Sequence, residues 1–279
     1  MSAYQVCPTA RLEKLLLTTD GSKFSEGAVR EAINLAKTCS SKLFAISVVE
    51  INPEFGAIAP GLVEKAERET RQYLESLKSR ASKEGVDCEI IVREGEEPFQ
   101  YIVDEAAKKK VEMIIMGRWG RTGLKKLMMG SVTAKVIGHA PCNVLIIPKD
   151  AKLDLDKILI ATDGSKYSEA ASREAISIAK RSGGTLIALS VAKKKENLLA
   201  AKESVDKVEA ITEKEGIKVQ ALTPKGEPYK TIIKTAEEKK AGLIVVGSHG
   251  RTGIEKLLMG SVTERVIGHA NCAVLVVKA

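Results

Sequence analysis

Aromatic residues are scarce in this chain. They make up 4% of 279 residues, with a single Trp, too few to build the stacking platforms that hold unpaired bases. No apolar run approaches the roughly 18 residues that a membrane span needs. The stretch Met1 to Leu12 lacks an apolar core followed by a small-residue cleavage site, so no secretory signal is read there. The five cysteines, Cys7, Cys39, Cys88, Cys142 and Cys272, are odd in number and show no CxxC spacing. Reduced thiols in a cytoplasmic protein are the expectation. The three histidines include no HExxH pair, which argues against a zinc site. Gln and Asn are few beside Lys and Glu, a tilt seen in heat-adapted proteins. Neither GxxxxGK[ST] nor GxGxxG occurs, so the P-loop and the dinucleotide fingerprint do not apply. The net charge of +8 is spread over both halves and carried by no tail. It is no argument for a nucleic-acid partner.

What the chain does have is a repeat. Leu15–Ser25, with Thr-Asp-Gly-Ser at its centre, recurs as Ile158–Ser168. Gly120–Thr133 recurs as Gly250–Thr263. The spacing between copies shrinks by 13 residues between the two motifs, and the Pro- and Gly-punctuated stretch 51–61 reads as the extra loop of the first copy. The period is too long for a solenoid and suits two domains, 1–150 and 151–279, joined by the short polar linker Pro148–Asp154.

Each copy alternates apolar runs with helical periodicity. In the first, Leu15–Thr18, Leu43–Val49, Cys88–Val92, Met113–Met116 and Val144–Ile147 read as strands, and 25–39, 62–84, 98–109 and 131–139 as helices. Several runs are apolar on both faces, as in parallel strands covered by helices. Five strands and four helices in alternation predict an α/β, doubly wound domain with right-handed crossovers. Such sheets bind ligands at the carboxyl ends of their strands.

The residues at those ends carry the chemistry. The first strand ends in Thr19-Asp20 and its repeat in Thr162-Asp163. The fourth strand runs into Gly117-x-x-Gly120, nine residues, then Gly130-Ser131; the repeat is Gly247-x-x-Gly250, nine residues, then Gly260-Ser261. Glycines let successive N–H groups converge on one anion. Ser131 and Ser261 read as N-caps of a helix whose free N–H groups attract negative charge. A carboxylate beside them can accept hydrogen bonds from ribose hydroxyls. Together they suggest a nucleotide site with the sugar on Asp and the phosphates on loop and helix. Plainer readings stand beside this one: Asp-Gly after a strand is also an ordinary turn. The runs Lys108–Lys110 and Lys193–Lys195 read as solvated faces, His139 and His269 as helix C-terminal caps, and Leu127, Met128, Leu258 and Met259 as packing.

Thr-Asp-Gly-Ser, Gly-x-x-Gly-x9-Gly-Ser and the Ser-Val-Thr that opens the last helix resemble the universal stress protein family, in a tandem form of its ATP-binding branch. The resemblance implies two five-stranded parallel sheets of order 3-2-1-4-5, each flanked by four helices. It implies pairing of the fifth strands, here Val144–Ile147 with Val274–Val277 within one molecule, and leaves a further homodimer open. By the same resemblance Asp20 and Asp163 accept the ribose, and Val48 and Val191 contact adenine through their backbones. Gly117, Gly120, Gly130, Ser131 and Val132 form one phosphate cradle; Gly247, Gly250, Gly260, Ser261 and Val262 form the other. Met116 and Val246 pack near base or sugar. The first loop departs from the pattern, with Arg118-Trp119 where the second has Ser248-His249. The indole either covers a ligand or crowds it, and loop 51–61 is a lid or a bystander.

The implied cofactor is ATP or another adenine nucleotide, with or without Mg²⁺. The implied role is a nucleotide-dependent regulatory module in a stress response. No catalytic base or nucleophile stands out, so at most slow hydrolysis is expected. A slow ATPase or adenylyl-transferring enzyme, and a nucleotide-free dimerising scaffold, remain the alternatives.

Overall fold

The computed structural model describes residues 6–9, 12–52, 54, 58–120, 129–251 and 259–279. The first copy supplies β1 (Lys14–Thr18), α1 (Glu26–Cys39), β2 (Lys42–Glu50), α2 (Pro60–Lys83), β3 (Cys88–Gly95), α3 (Pro98–Lys109), β4 (Met113–Gly117), α4 (Ser131–His139) and β5 (Asn143–Ile147). The second supplies β6 (Lys157–Ala161), α5 (Lys166–Ser182), β7 (Thr185–Leu189), α6 (Leu198–Lys214), β8 (Val219–Leu222), α7 (Pro228–Lys239), β9 (Leu243–Gly247), α8 (Ser261–His269) and β10 (Ala273–Val277). The strands form one ten-stranded sheet of order β3-β2-β1-β4-β5-β10-β9-β6-β7-β8. Each copy thus has its strands in the order 3-2-1-4-5, all parallel within the copy. The copies meet through antiparallel β5 and β10, with Leu145 opposite Leu275.

Alternation along the buried strands feeds two cores. Leu15 and Leu17 point into a layer with Ala28 and Ala32 of α1 and Leu74 and Leu77 of α2. Leu16 points to the other face, against Ile102 of α3 and Val136 and Ile137 of α4. The second copy repeats both layers, and each core runs unbroken across the β5–β10 seam. Burying one such aliphatic side chain is worth about 1.5–3 kcal/mol, so a seam continuous on both faces fixes the halves firmly.

Three expectations are corrected. The linker is polar in composition but not loose: Ala151, Leu153 and Leu155 are buried in the first core layer. Its backbone lies so close to α1 that a Cβ on Gly27 would come within 2.6 Å of Pro148 O. Cys7 and Cys39 are not free thiols. They form a disulfide, because the N-terminal segment crosses the end of α1; Cys88, Cys142 and Cys272 are free. The proposed extra loop is shorter than 51–61, since α2 already begins at Pro60, whose fixed φ suits a first helical turn. No helix among the described residues is long and apolar enough to cross a membrane.

Candidate functional site

The second copy builds a cavity of about 430 Å³ at the carboxyl ends of its strands. Thr162, Asp163, Val191, Val246, Gly247, Gly250, Gly260, Ser261 and Val262 all line it. Four separate chain segments, following β6, β7 and β9 and opening α8, bring these residues together. Asp163 is fixed by its surroundings. Its Oδ1 accepts from the Ser165 N–H at 3.0 Å and its Oδ2 from the Arg251 N–H at 2.9 Å. Burial pushes its carboxyl pKa up, but the bonds from Ser165, Arg251 and Ser168 outweigh this and hold it below its ordinary value. The group is therefore a preoriented anion at neutral pH.

The glycines are there for close approach. A Cβ on Gly250 would lie 2.8 Å from Asp163 Oδ2, and one on Gly247 would lie 2.7 Å from the Tyr167 backbone. Gly260 packs on the loop backbone, with its Cβ position 3.4 Å from His249 Cα. The cap assignment is corrected here. Gly260, in extended conformation, is the N-cap of α8, and Ser261 is its first helical residue. Gly130 and Ser131 stand in the same relation to α4. The Gly130 and Gly260 carbonyls accept the first helical bonds, from Ala134 and Glu264, and the N–H groups of the preceding turn face outward. Thr133 and Thr263, which the motif reading passed over, anchor these helix starts by donating to Gly117 O (3.2 Å) and Gly247 O (2.8 Å).

Other cavity residues were also not legible as a site. Lys193, read as part of a solvated run, lines the second cavity, as do Arg251 and His249. Arg251 crosses the mouth: its Nε donates to Asp163 O and its Nη2 to Ser204 Oγ at 3.4 Å. The only available signal was the repetition of Gly-Arg-Thr-Gly in both loops. His249 packs at 5.1 Å on Tyr167. His139 and His269 cap helix ends as read, each donating from Nδ1 to the carbonyl four residues earlier at 2.8 Å.

The first copy arranges the same motif differently. A cavity of about 340 Å³ opens at Asp20, but its other walls are Gly21, Ser22, Ser47 and the α2 residues Ala66, Glu69, Thr70 and Tyr73. Of the predicted residues only Asp20 lines it. Thr19 lies beside it, bonded to Tyr73 Oη at 3.0 Å and Ser25 Oγ at 2.8 Å. Val48, Met116, Gly117, Gly120, Gly130, Ser131 and Val132 hold positions equivalent to their second-copy counterparts but are not among its walls. Trp119 packs edge-on against Phe24 at 6.3 Å. Arg118 turns the other way. It is 6% exposed and donates to Gly268 O at 2.8 Å and to Ala270 O, at the end of α8 in the other copy. Lys278 returns the contact, donating to Ile137 O and Gly138 O at the end of α4. Met259 is buried as read; Leu127, Met128 and Leu258 lie outside the described residues.

Comparison with known proteins follows this architecture. The sequence profile of the universal stress protein family matches residues 11–148 and again 155–278. A universal stress protein of Methanocaldococcus jannaschii is 38% identical over 144 residues, covering 50% of this chain and 84% of its own length. One from Mycolicibacterium smegmatis is 26% identical over 295 residues and spans 95% of this chain and 96% of its own. The crystal structure of a universal stress protein from Archaeoglobus fulgidus shares the fold over 97% of this chain and 98% of its own, with a TM-score of 0.80 at 23% identity.

Proposed function

We propose that this chain, which belongs to the universal stress protein family, binds an adenine nucleotide in its second-copy cavity and changes its partners with nucleotide state. The observation that carries the reading is the convergence of Asp163, the glycine loop and the start of α8 on one cavity. Its volume is within the range of small-molecule sites. Asp163, held as an anion, is suited to accept from the ribose hydroxyls. The outward N–H groups at the start of α8, with Lys193 and Arg251 on the cavity wall, suit the phosphates. The glycine positions that a Cβ would fill are those where a phosphate chain must come closest to backbone. Mg²⁺ would travel with the phosphates, since no group of three metal-ligating side chains gathers among the described residues.

The test is calorimetry of the full chain with ATP, ADP and AMP, together with the absorbance ratio of the purified protein, which registers nucleotide carried through purification. Asp163→Ala should weaken binding about tenfold or more and leave the thermal midpoint within a few degrees. Equal affinity in that variant removes Asp163 from the site. Absence of binding by any adenylate would favour the scaffold reading, and multiple-turnover phosphate release would favour the enzyme.

A further inference from the structure

The cavity at Asp20 differs from its counterpart in charge and in its α2 wall. The charged residues lining the second cavity are Asp163, Lys193 and Arg251; those lining the first are Asp20 and Glu69. The position of Lys193 is held in the first copy by Glu50. Glu69 stands at the rim, and its nearest cation is Lys65 at 3.9 Å, one helical turn away and pointing along the exposed face. The counterpart of Arg251, Arg121, lies outside the described residues.

The wall differs as well. A Cβ on Gly164 would meet Ser204 Oγ at 2.8 Å and Arg251 Nη2 at 3.4 Å, whereas one on Gly21 would meet the ring of Tyr73 at 3.4 Å. Tyr73 therefore fills the berth that Ser204 and the Arg251 guanidinium share in the second copy. Its hydroxyl is tied to Thr19, so the ring is fixed and presents an apolar face to the cavity. Deeper in, Ser47 and Thr70 are 3% and 6% exposed and line the space, and their hydroxyls make no hydrogen bond to any described residue. Buried hydroxyls without partners are costly, and a ligand that satisfies them recovers that cost.

We infer that the first cavity takes an uncharged nucleoside and rejects the phosphorylated form, with Tyr73 and Glu69 setting the choice. This rests on the proposed reading of the second cavity, because it carries the sugar-accepting role of Asp163 over to Asp20. The sugar hydroxyls meet Asp20, the ring face of Tyr73 offers apolar contact, and Ser47 and Thr70 pair with ligand polar atoms. A phosphate would have to sit beside Glu69, where like charges face each other.

The experiment is calorimetry of the full-length Asp163→Ala protein with adenosine and with AMP and ATP, beside the wild type. Adenosine should bind Asp163→Ala, and AMP and ATP should bind it at least about tenfold more weakly than adenosine. Adding Asp20→Ala should abolish adenosine binding. Glu69→Lys in the Asp163→Ala background should restore AMP. Thermal midpoints establish that each variant is folded, and Tyr73→Ser offers a milder change of the same wall. Equal binding of ATP and adenosine by Asp163→Ala overturns the inference, as does adenosine binding that survives in the double variant. Wild-type ATP binding that is lost in Asp163→Ala, with no adenosine binding in that variant, overturns the inference and leaves the proposed function standing. Failure of every ligand with the wild type overturns both.

Discussion

Asp20 and Asp163 end equivalent strands, precede the same Gly-Ser and face the same glycine of their loops, yet they open into different cavities. The divergence comes from residues outside the shared motif. Tyr73 stands where Ser204 is, Glu50 where Lys193 is, and Trp119 where His249 is. A duplicated binding motif therefore does not guarantee duplicated chemistry, because the motif supplies backbone shape while the covering helix and strand ends supply size and charge. The glycine loops diverge in a second way. Arg118 gives the first loop a buried cation that caps the end of α8, whereas Ser248 gives the second loop none. Cys39, bonded to Cys7, is likewise matched by Ser182 in the second copy.

The sharpest way to break this comparison is at the glycines. Gly250→Val places side-chain atoms on Asp163 Oδ2 and should lower ATP affinity by about 100-fold, near 2.7 kcal/mol; Gly120→Val should leave ATP affinity unchanged. Calorimetry distinguishes the two, and an equal loss from both would make the sites alike. Next in size, Arg118→Ala strips two carbonyls at the end of α8 of a buried donor. Denaturant unfolding should show a loss of about 1–3 kcal/mol, and Ser248→Ala a smaller one. Matching losses would deny Arg118 its role in the seam.

A pH series sharpens the same contrast on the side of Asp163. Its folded-state pKa lies below the ordinary carboxylate value. A group depressed in this way contributes stability above its unfolded pKa of about 3.9, and the contribution is lost as pH falls through the folded value. Asp163→Asn should therefore flatten the stability curve below about pH 4 and leave the slope at neutral pH as it was. A steeper acid limb in the variant would contradict the hydrogen-bond account. Smallest of all, His139→Ala and His269→Ala should each cost about 0.3–1 kcal/mol, equally in the two copies, since both rings bond the same carbonyl of their last turns. Unequal costs would mean that even the end caps have diverged.

Much of the fold was legible in the chain. Runs apolar on both faces marked the inner strands, and helical spacing marked α1 and α3, because burial on a sheet leaves a periodic trace. The Gly-x-x-Gly-x9-Gly spacing pointed to the residues that meet in the second cavity. Other features left no local trace. Ser131 and Ser261 have the composition of N-caps, but the extended glycines before them take the cap position because the loop must turn sharply there. Lys193 belongs to a charged run that reads as solvated, and only the course of the chain after β7 brings it to the cavity. The linker's apolar residues are too few to signal burial, and the Cys7–Cys39 pairing follows no spacing motif.

The sequence by itself determined the duplication, the strand and helix alternation in each copy, and the glycine and aspartate positions, since these depend on local backbone freedom and on short-range periodicity. The tertiary structure alone decided that the two sheets merge into one through β5 and β10, that Arg118 and Lys278 cap helices of the opposite copy, and that Tyr73 walls off the first cavity. Each of these depends on groups far apart in the chain meeting in space, and neither residue type nor spacing encodes such a meeting until the layers pack.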